Sequence, residues 1–176
     1  MSSMVETPEA ETSPRAREDP HAPLRVWLQL LTCTALIERH VRERLREHFD
    51  ITLPRFDMMA QLDREPKGLK MSELSRRLMV TGGNVTGLTD QLVAEGLVVR
   101  RGIPGDRRAY NVRLTPKGKR QFDAMAAEHE LWIDDLFADV SPEAREVLHE
   151  SVTELKAAIA ARLSAESASG AHDEHG

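Results

Sequence analysis

Apolar residues between Pro23 and Phe49 recur at intervals of three and four positions, which predicts a long helix. They form two adjacent stripes, so this helix is expected to be buried on more than one side. In a chain of 176 residues, we expect a second subunit to supply part of that cover. Similar spacing after Thr115-Pro116 and after Ser141-Pro142 predicts two further long helices, each with a capping hydroxyl and an early proline.

The segment from Lys70 to Gly96 predicts two short helices joined by a tight turn. Ser72 and Thr81 are suitable N-terminal caps, and Gly96 suits a left-handed residue that ends the second helix. This arrangement is typical of a helix-turn-helix. The inward positions of the second helix, taken from their spacing, are Val85, Leu88 and Leu92.

Two strands are predicted directly after these helices, at residues 97–101 and 109–114, with turn residues between them. A hairpin in this place turns the motif into a winged helix-turn-helix. The expected fold class is therefore mainly α (α+β), a winged helix-turn-helix with long N- and C-terminal dimerisation helices. Five segments are expected: a disordered leader at 1–22, an N-terminal dimerisation helix at 23–50, the winged lobe at 51–114, C-terminal dimerisation helices at 115–164 and a disordered tail at 165–176.

Charge is distributed unevenly along the chain. The net charge of −5 does not by itself suggest a nucleic-acid partner. Residues 68–120 nevertheless hold 11 Lys and Arg against 4 Asp and Glu, whereas residues 121–176 hold 3 against 13. A basic centre beside an acidic end indicates a localised anion-binding face, and the predicted fold makes double-stranded DNA the expected partner.

The second short helix begins with a glycine-rich stretch, TGGNVTG. Glycine within a helix costs roughly 1 kcal/mol relative to alanine, so three glycines here argue against a purely structural role. They leave a thin surface that can approach a sugar-phosphate backbone, with amides that can bind phosphate. Asparagine and threonine suit base edges in the major groove. The predicted DNA-contacting residues of this helix are Thr81, Gly83, Asn84, Thr86 and Gly87.

The predicted hairpin carries arginines on both strands and near its tip. Because side chains alternate along a strand, at most one of Arg100 and Arg101 is expected on the DNA side, and Arg101 is the candidate. Asp106 is expected to pair with an arginine and hold the turn. Arg107 or Arg108 is then free to enter a narrow minor groove, where the negative potential is strongest.

The motifs MSELSRRL, NVTGLTDQLVAEGLVVR and GDRRAYNVRLTPKG, in this order, resemble the multiple-antibiotic-resistance regulator (MarR) family over about residues 24–163. The resemblance implies a triangular homodimer with interlocking first and last helices and winged lobes that read a palindromic site, usually as a repressor. It places the family's wing Asp and Arg at Asp106 and Arg108. Gly82 and Gly83 depart from the longer polar residues that often stand there, which leaves the base contacts open.

The resemblance also implies a small-molecule effector that releases the protein from DNA, commonly an aromatic acid or its CoA thioester. The start GGNVTGL resembles regulators of aromatic-acid catabolism. Family pockets lie between the long helices and the DNA-binding lobe. Core packing and solvent exposure remain the simpler explanation of the side chains there, although one of two basic residues a helical turn apart could bind a carboxylate. The candidate effector-binding residues are Trp27, His40, Arg44, Phe56 and Met59.

No enzyme is predicted, because the chain holds no nucleophile elbow, phosphate loop, paired catalytic carboxylates or structural zinc spacing. No cofactor or metal site is therefore expected. The single Cys33 excludes an internal disulfide, which fits a reducing cytoplasm. It stands among apolar residues and is expected to be a buried, inert thiol. No apolar run is long enough for a membrane span. Two alternatives stay open: a redox- or metal-responsive regulator of the same fold, and a winged-helix module for protein contacts.

Overall fold

Helices dominate the computed structural model, which describes residues 19–103 and 106–170. A three-stranded antiparallel sheet lies among them, which confirms the predicted mainly α fold class with a winged helix-turn-helix. The helices are α1 (Ala22–Phe49), α2 (Leu53–Asp63), α3 (Met71–Leu78), α4 (Gly82–Ala94), α5 (Pro116–Leu136) and α6 (Pro142–Gly170). The strands are β1 (Leu69–Lys70), β2 (Val98–Ile103) and β3 (Asp106–Leu114).

The chain divides into two compact units, one ending at His40 and one beginning at Val41. The boundary falls within α1, and the second unit contains the sheet and the helices that pack on it. Within the described ranges, none of the helices combines the length and apolarity that a bilayer span requires.

Hydroxyl caps begin the two C-terminal helices, as the sequence predicts. The Thr115 Oγ1 accepts a hydrogen bond from the Gly118 amide at 3.0 Å, and Pro116 occupies the first turn of α5. The Ser141 Oγ accepts one from the Ala144 amide at 3.1 Å at the start of α6. Each cap satisfies an amide that has no partner within its helix.

Two helix boundaries differ from the sequence prediction. The cap predicted at Ser72 is wrong, because α3 begins at Met71 and the extended Lys70, the last residue of β1, takes the N-cap position. The end of the last helix is also wrong, because α6 continues to Gly170. Its Ser167 hydroxyl donates to the Leu163 carbonyl one turn back at 2.9 Å, so serine is accommodated within this helix.

The sheet has the order β1-β3-β2, with the strand that returns from the wing in the middle. Val112 of β3 pairs with Leu69 of β1 on one side and with Arg100 of β2 on the other. Asn111 pairs with Lys70 and Arg101 in the same way. Alternation therefore gives the sheet one face with Leu69 and Val112 buried and one face with polar and basic residues.

Residues from several elements of the second unit form the core around α2 and the sheet. Gly118 marks its tightest contact, since a Cβ there would lie 1.9 Å from the Leu97 carbonyl oxygen. Only glycine lets α5 start this close to β2. The fully or nearly fully buried apolar side chains include Leu45, Met58, Met59, Leu62, Leu74, Val85, Leu92, Leu97, Val112 and Met125.

Large apolar side chains on α1 and α6 are exposed in this single chain. The expectation that Cys33 is buried is wrong here, because its thiol is exposed together with the neighbouring apolar residues of the same helix half. The exposed residues of α1 are Leu24, Val26, Trp27, Leu28, Leu31 and Leu36. Those of α6 are Val147, Leu148, Val152, Ile159 and Leu163.

Candidate DNA-binding face

A tight turn joins α3 to α4. Met79 ends α3 in the left-handed region, with φ 53° and ψ 35°, and reverses the chain direction. The Ser75 hydroxyl donates to the Val80 carbonyl at 2.6 Å, and the Val80 amide donates to the Ser75 carbonyl at 3.2 Å. Two hydrogen bonds between Ser75 and Val80 therefore close the turn that leads from α3 to α4. Thr81 takes the N-cap position of α4, as predicted, although its side chain makes no capping bond.

The inner face of α4 is set by Val85, Thr89 and Leu92, which are fully buried. Leu88, predicted to face inward, is only half-buried. The sequence reasoning missed Thr89 because a threonine reads as polar. Its hydroxyl donates to the Val85 carbonyl at 2.7 Å, which satisfies the buried group within the helix. The methionine sulfurs of Met58 and Met71 then pack around it at 3.7 Å.

The opposite face of α4 is open. Apart from the chain neighbours and the backbone of α4 itself, no atom of the described residues lies within 4 Å of a Cβ built on Gly82, Gly83 or Gly87, so packing does not require glycine at these positions. The Thr86 hydroxyl donates to the Gly82 carbonyl at 3.0 Å, which leaves its lone pairs and its methyl group for other contacts. The predicted contact residues on this helix are all exposed: Thr81, Gly83, Asn84, Thr86 and Gly87.

The small side chains open a shallow depression along α4. It has a volume of about 370 Å³ and extends from the start of α2 across the first turns of α4. A bulkier helix surface would fill this space. The lining residues are Pro54, Val80, Gly83, Asn84, Gly87, Leu88 and Gln91.

The two neighbouring arginines of β2 have different surroundings. Arg100 lies on the sheet face that carries Val112, and its Nη2 forms an ion pair with Asp90 Oδ1 of α4 at 2.6 Å. Arg101 points to the other face and is exposed. Alternation along β2 thus places Arg100 where it joins the wing to α4 and leaves Arg101 open to solvent. The sequence prediction did not find the Asp90–Arg100 pair.

The wing tip was also predicted to contact DNA. Asp106, Arg107 and Arg108 belong to β3, and Asp106 pairs with Ile103 of β2 after an irregularity in the register. The side chains of these three residues lie outside the described part of the chain, so their predicted roles stay predictions.

The arginines of α3 are engaged in ion pairs. Glu73 accepts hydrogen bonds from Arg76 at 2.6 Å and from Arg77 at 2.7 Å, and these two guanidinium groups hold the pKa of Glu73 below its ordinary value. Arg77 also reaches Glu65 at 3.1 Å. The positive charge of this helix is thus partly offset by its own carboxylate.

Known proteins share this arrangement of helix-turn-helix and hairpin. A family model described as the MarR family matches residues 49–109. The uncharacterised HTH-type transcriptional regulator YkoM of Bacillus subtilis is 34% identical over 79 residues, which are 45% of this chain and 51% of that protein, so the alignment spans about half of that relative. An uncharacterised HTH-type transcriptional regulator of Bacillus cereus is 28% identical over 131 residues, or 74% of this chain and 86% of that protein.

A solved structure agrees with these relatives. The MarR family transcriptional regulator of Silicibacter pomeroyi has a TM-score of 0.67 at 29% identity, and the match covers 78% of this chain and 94% of that one. In sequence and fold the chain is similar to MarR family transcriptional regulators. These similarities support a DNA-binding transcriptional regulator, and the prediction that the chain is not an enzyme is confirmed by the kind of protein to which it is related.

A second MarR-family structure shares the fold. Sco3205 of Streptomyces coelicolor, solved in complex with DNA, has a TM-score of 0.68 at 21% identity, and the match covers 81% of this chain and 91% of that one.

The joint between α4 and α5 is a feature that the sequence prediction missed. The Thr115 hydroxyl bonds the Gly96 carbonyl at 2.7 Å, and the Thr115 amide bonds the Leu97 carbonyl at 3.0 Å. Lys117 Nζ donates to the Glu95 carbonyl at 2.8 Å, at the end of α4. The first turn of α5 is therefore bonded to the end of α4 and the two residues that follow it.

The candidate effector residues have different surroundings in the structure. Trp27 is 57% exposed, whereas His40 and Arg44 are half-buried. Phe56 and Met59 are buried in the second unit. The Phe56 ring lies 5.6 Å from that of Phe122 and 5.1 Å from that of His129, which is core packing. The predicted effector role of these five residues remains a prediction.

Metal ligation was one of the alternatives from the sequence. Among the residues that the structure describes, no three His, Cys, Asp or Glu side chains are grouped as a metal site would need. His172 and His175 lie outside the described residues.

Proposed function

We propose that this MarR-family regulator acts as a homodimeric repressor that binds a palindromic operator and is released by a small aromatic acid or its CoA thioester. The observation that carries the proposal is the open, glycine-bearing face of α4, fastened to a basic hairpin in the same unit. The outer surface of α4 is narrow and exposed, and packing within the described chain does not require its glycines. Such a surface suits a helix that enters the major groove.

Contacts to DNA come from two sources in this proposal. The free amides at the start of α4 meet phosphate, and Asn84 and Thr86 meet base edges in the major groove. The Arg100–Asp90 pair keeps the wing beside α4, while Arg101 is exposed for a backbone contact. Arg107 and Arg108 are assigned to the adjacent minor groove. The DNA complex of Sco3205, which has the same fold, supports duplex DNA as the partner.

A homodimer accounts for the exposed apolar residues of α1 and α6. On α6 they follow helical spacing from Leu148 through Val152 to Ile159 and Leu163, all at least 40% exposed. An apolar stripe of this length on a single chain indicates a surface that another copy covers. Two-fold symmetry then matches a palindromic DNA site.

Release by an effector requires that the ligand binds one arrangement of the two lobes more tightly than the other. A coupling of about 1–3 kcal/mol changes DNA affinity between about 5-fold and 150-fold. Trp27, His40, Arg44, Phe56 and Met59 are the proposed contacts.

A titration of the DNA upstream of its own gene tests the function. Fluorescence anisotropy should show specific binding that weakens steeply between about 50 and 200 mM salt, because several phosphates are neutralised. A panel of aromatic acids and CoA thioesters should contain a compound that lowers the affinity. Binding no tighter than to an unrelated duplex would count against the operator, and an unchanged affinity with every compound would count against the effector class.

A further inference from the structure

The solvent side of the three-stranded sheet carries a row of basic side chains. Lys70 of β1 pairs with Asn111 of β3, and Asn111 pairs with Arg101 of β2, so these three residues lie side by side across the sheet. Arg113 stands two residues after Asn111 on β3 and therefore lies on the same side. The four residues form the basic sheet face: three are cations and none is acidic.

Several cations of the second unit are offset by carboxylates of the chain, but those of the basic sheet face are not. Lys119 forms ion pairs with Asp63 and Asp123, and Arg100, on the opposite side of the sheet, forms one with Asp90. Within the described residues, the three cations of the basic sheet face form no ion pair with a carboxylate, although one of them is half-buried. A surface of one charge sign without counter-charges attracts a partner of the opposite sign.

The length of this row suits a DNA backbone. Neighbouring strands lie about 4.8 Å apart, so the backbones of Lys70 and Arg101, on either side of β3, are separated by roughly 10 Å. One DNA strand carries a phosphate for about every 3.4 Å of helix axis, so the row can meet more than one phosphate. Lysine and arginine pair with phosphate by charge, and the Asn111 amide can donate a hydrogen bond to it.

The basic sheet face is directed away from α4. Arg100 lies on the opposite side of the sheet and there pairs with Asp90 of α4, so that opposite side is the one that faces α4. A duplex whose major groove receives α4 can therefore reach the basic sheet face only beyond that groove. The matching partner is the DNA that flanks a half-site, not the half-site itself.

We propose that the basic sheet face binds the sugar-phosphate backbone of the DNA flanking each half-site. The inference rests on the proposed function, because the flanks are defined by the groove that α4 enters. Arg101, already proposed for a backbone contact, makes that contact as part of this face. Phosphate contacts carry no base recognition, so they raise affinity and salt dependence without changing the preferred sequence.

Two duplexes of different length test the proposal. One carries only the inverted repeat of the DNA upstream of the gene, and the other adds about 10 base pairs, roughly one helical turn, at each end. Fluorescence anisotropy gives the affinity of the full-length wild type for each duplex between about 50 and 200 mM salt. The logarithm of the association constant should fall more steeply with the logarithm of salt on the longer duplex, by roughly 0.9 for each additional phosphate contact.

Matched double variants locate the extra contacts. Lys70→Gln/Arg113→Gln removes two cations of the basic sheet face and keeps Arg101. Its salt slope on the longer duplex should approach that on the shorter one, while its binding to the shorter duplex stays that of the wild type. Arg120→Gln/Lys156→Gln removes the same charge from exposed positions of α5 and α6 and should bind both duplexes like the wild type. Circular dichroism shows that each variant is folded, and Lys70→Gln alone, at an exposed position, should give about half of the slope change.

The proposal is overturned if the wild type has the same salt slope on both duplexes, or if the folded Lys70→Gln/Arg113→Gln variant keeps the wild-type slope on the longer one. An equal loss of slope in the control variant would also overturn it, because net charge alone would then explain the effect. Failure of the proposed operator binding is distinguishable, since the wild type would then bind the inverted repeat no more tightly than an unrelated duplex of the same length. The comparison of the two double variants on the longer duplex would still test the basic sheet face.

Discussion

At the scale of single residues, two glycines show the difference between a position where packing requires glycine and one where it does not. Gly87 stands inside a helix, where glycine is costly, and no described residue beyond the backbone of α4 comes within 4 Å of the position of a Cβ. Gly118 is the opposite case, because its neighbour leaves no room for any side chain. Only the second glycine is explained by packing within the described chain, and we propose that the first serves the contact with DNA.

Gly87→Ala should therefore stabilise the protein and weaken DNA binding. The added methyl group raises helix stability by about 0.5–1 kcal/mol, and it stands between the helix and the DNA. Urea unfolding and anisotropy titration measure the two effects. Ala94→Gly makes the reverse exchange at the far end of α4 and should lower stability without changing DNA affinity. Equal DNA affinity of Gly87→Ala and the wild type would show that the bare surface is not needed for contact.

The sequence predicted the exposed residues of α4 well, because the spacing of Val85 and Leu92 fixes the helix orientation. It could not predict Thr89 as core, since the bond of its hydroxyl to Val85 depends on the backbone geometry. Nor could it predict the Asp90–Arg100 ion pair, which joins two elements. Such pairs depend on how α4 and β2 approach each other, and the residue spacing within one element does not predict that.

At the scale of elements, α2 and α5 meet through aromatic rings. His129 of α5 packs on Phe56 of α2, and burial lowers the pKa of its imidazole from the ordinary value of 6.5. The folded protein thus favours the neutral ring, whereas the unfolded chain takes up a proton near the ordinary pKa. At high pH the ring is neutral in both states and does not affect the free energy of unfolding. As the pH falls below 6.5, the unfolded chain binds a proton more readily than the folded chain, so the free energy of unfolding decreases.

His129→Gln should therefore reduce the loss of stability on acidification. The free energy of unfolding would be measured in urea at about pH 7.5 and about pH 5.5, on either side of the imidazole titration. The difference between these two values should be smaller for the variant than for the wild type. His149→Gln, on the exposed surface of α6, is the matched control and should behave like the wild type. An identical pH response of His129→Gln and the wild type would rule out the burial argument.

Element boundaries show where local patterns are insufficient. The caps at Thr115 and Ser141 were predicted correctly because hydroxyl and proline both mark a helix start. The cap at Ser72 was wrong because β1 pairs with β3, a contact distant in sequence, and leads directly into α3. The α4–α5 joint was missed for the same reason, since Thr115 meets Gly96 only in the folded chain.

At the scale of the whole molecule, the apolar residues of α1 and α6 lack cover within the described chain. The sequence indicated this, because α1 carries more apolar positions than one buried face needs. It also led to the wrong expectation that Cys33 is buried, since spacing does not distinguish the core of a chain from an interface. The proposed homodimer explains both observations.

Ile159→Glu should convert the protein from a dimer to a monomer. A charge within an apolar interface remains unpaired after association and costs several kcal/mol, as estimated for a buried isolated charge. Sedimentation velocity would measure the mass. Glu150→Gln is a control on the same helix that should leave the dimer intact. A monomeric wild type, or a dimeric Ile159→Glu variant, would contradict the assignment of this surface.

The central claim is that α4 enters the major groove of DNA, and affinity cleavage tests it most directly. Cys33 is first replaced by Ser, because its exposed thiol would react. An iron chelate is then attached to Gln91→Cys on α4 or, as a control, to Glu150→Cys on α6, and each protein is bound to the DNA upstream of its gene. The account predicts two clusters of major-groove cuts from α4, a whole number of helical turns of about 10–10.5 base pairs apart, and none from α6. Cuts from α4 no stronger than those from α6 would contradict it.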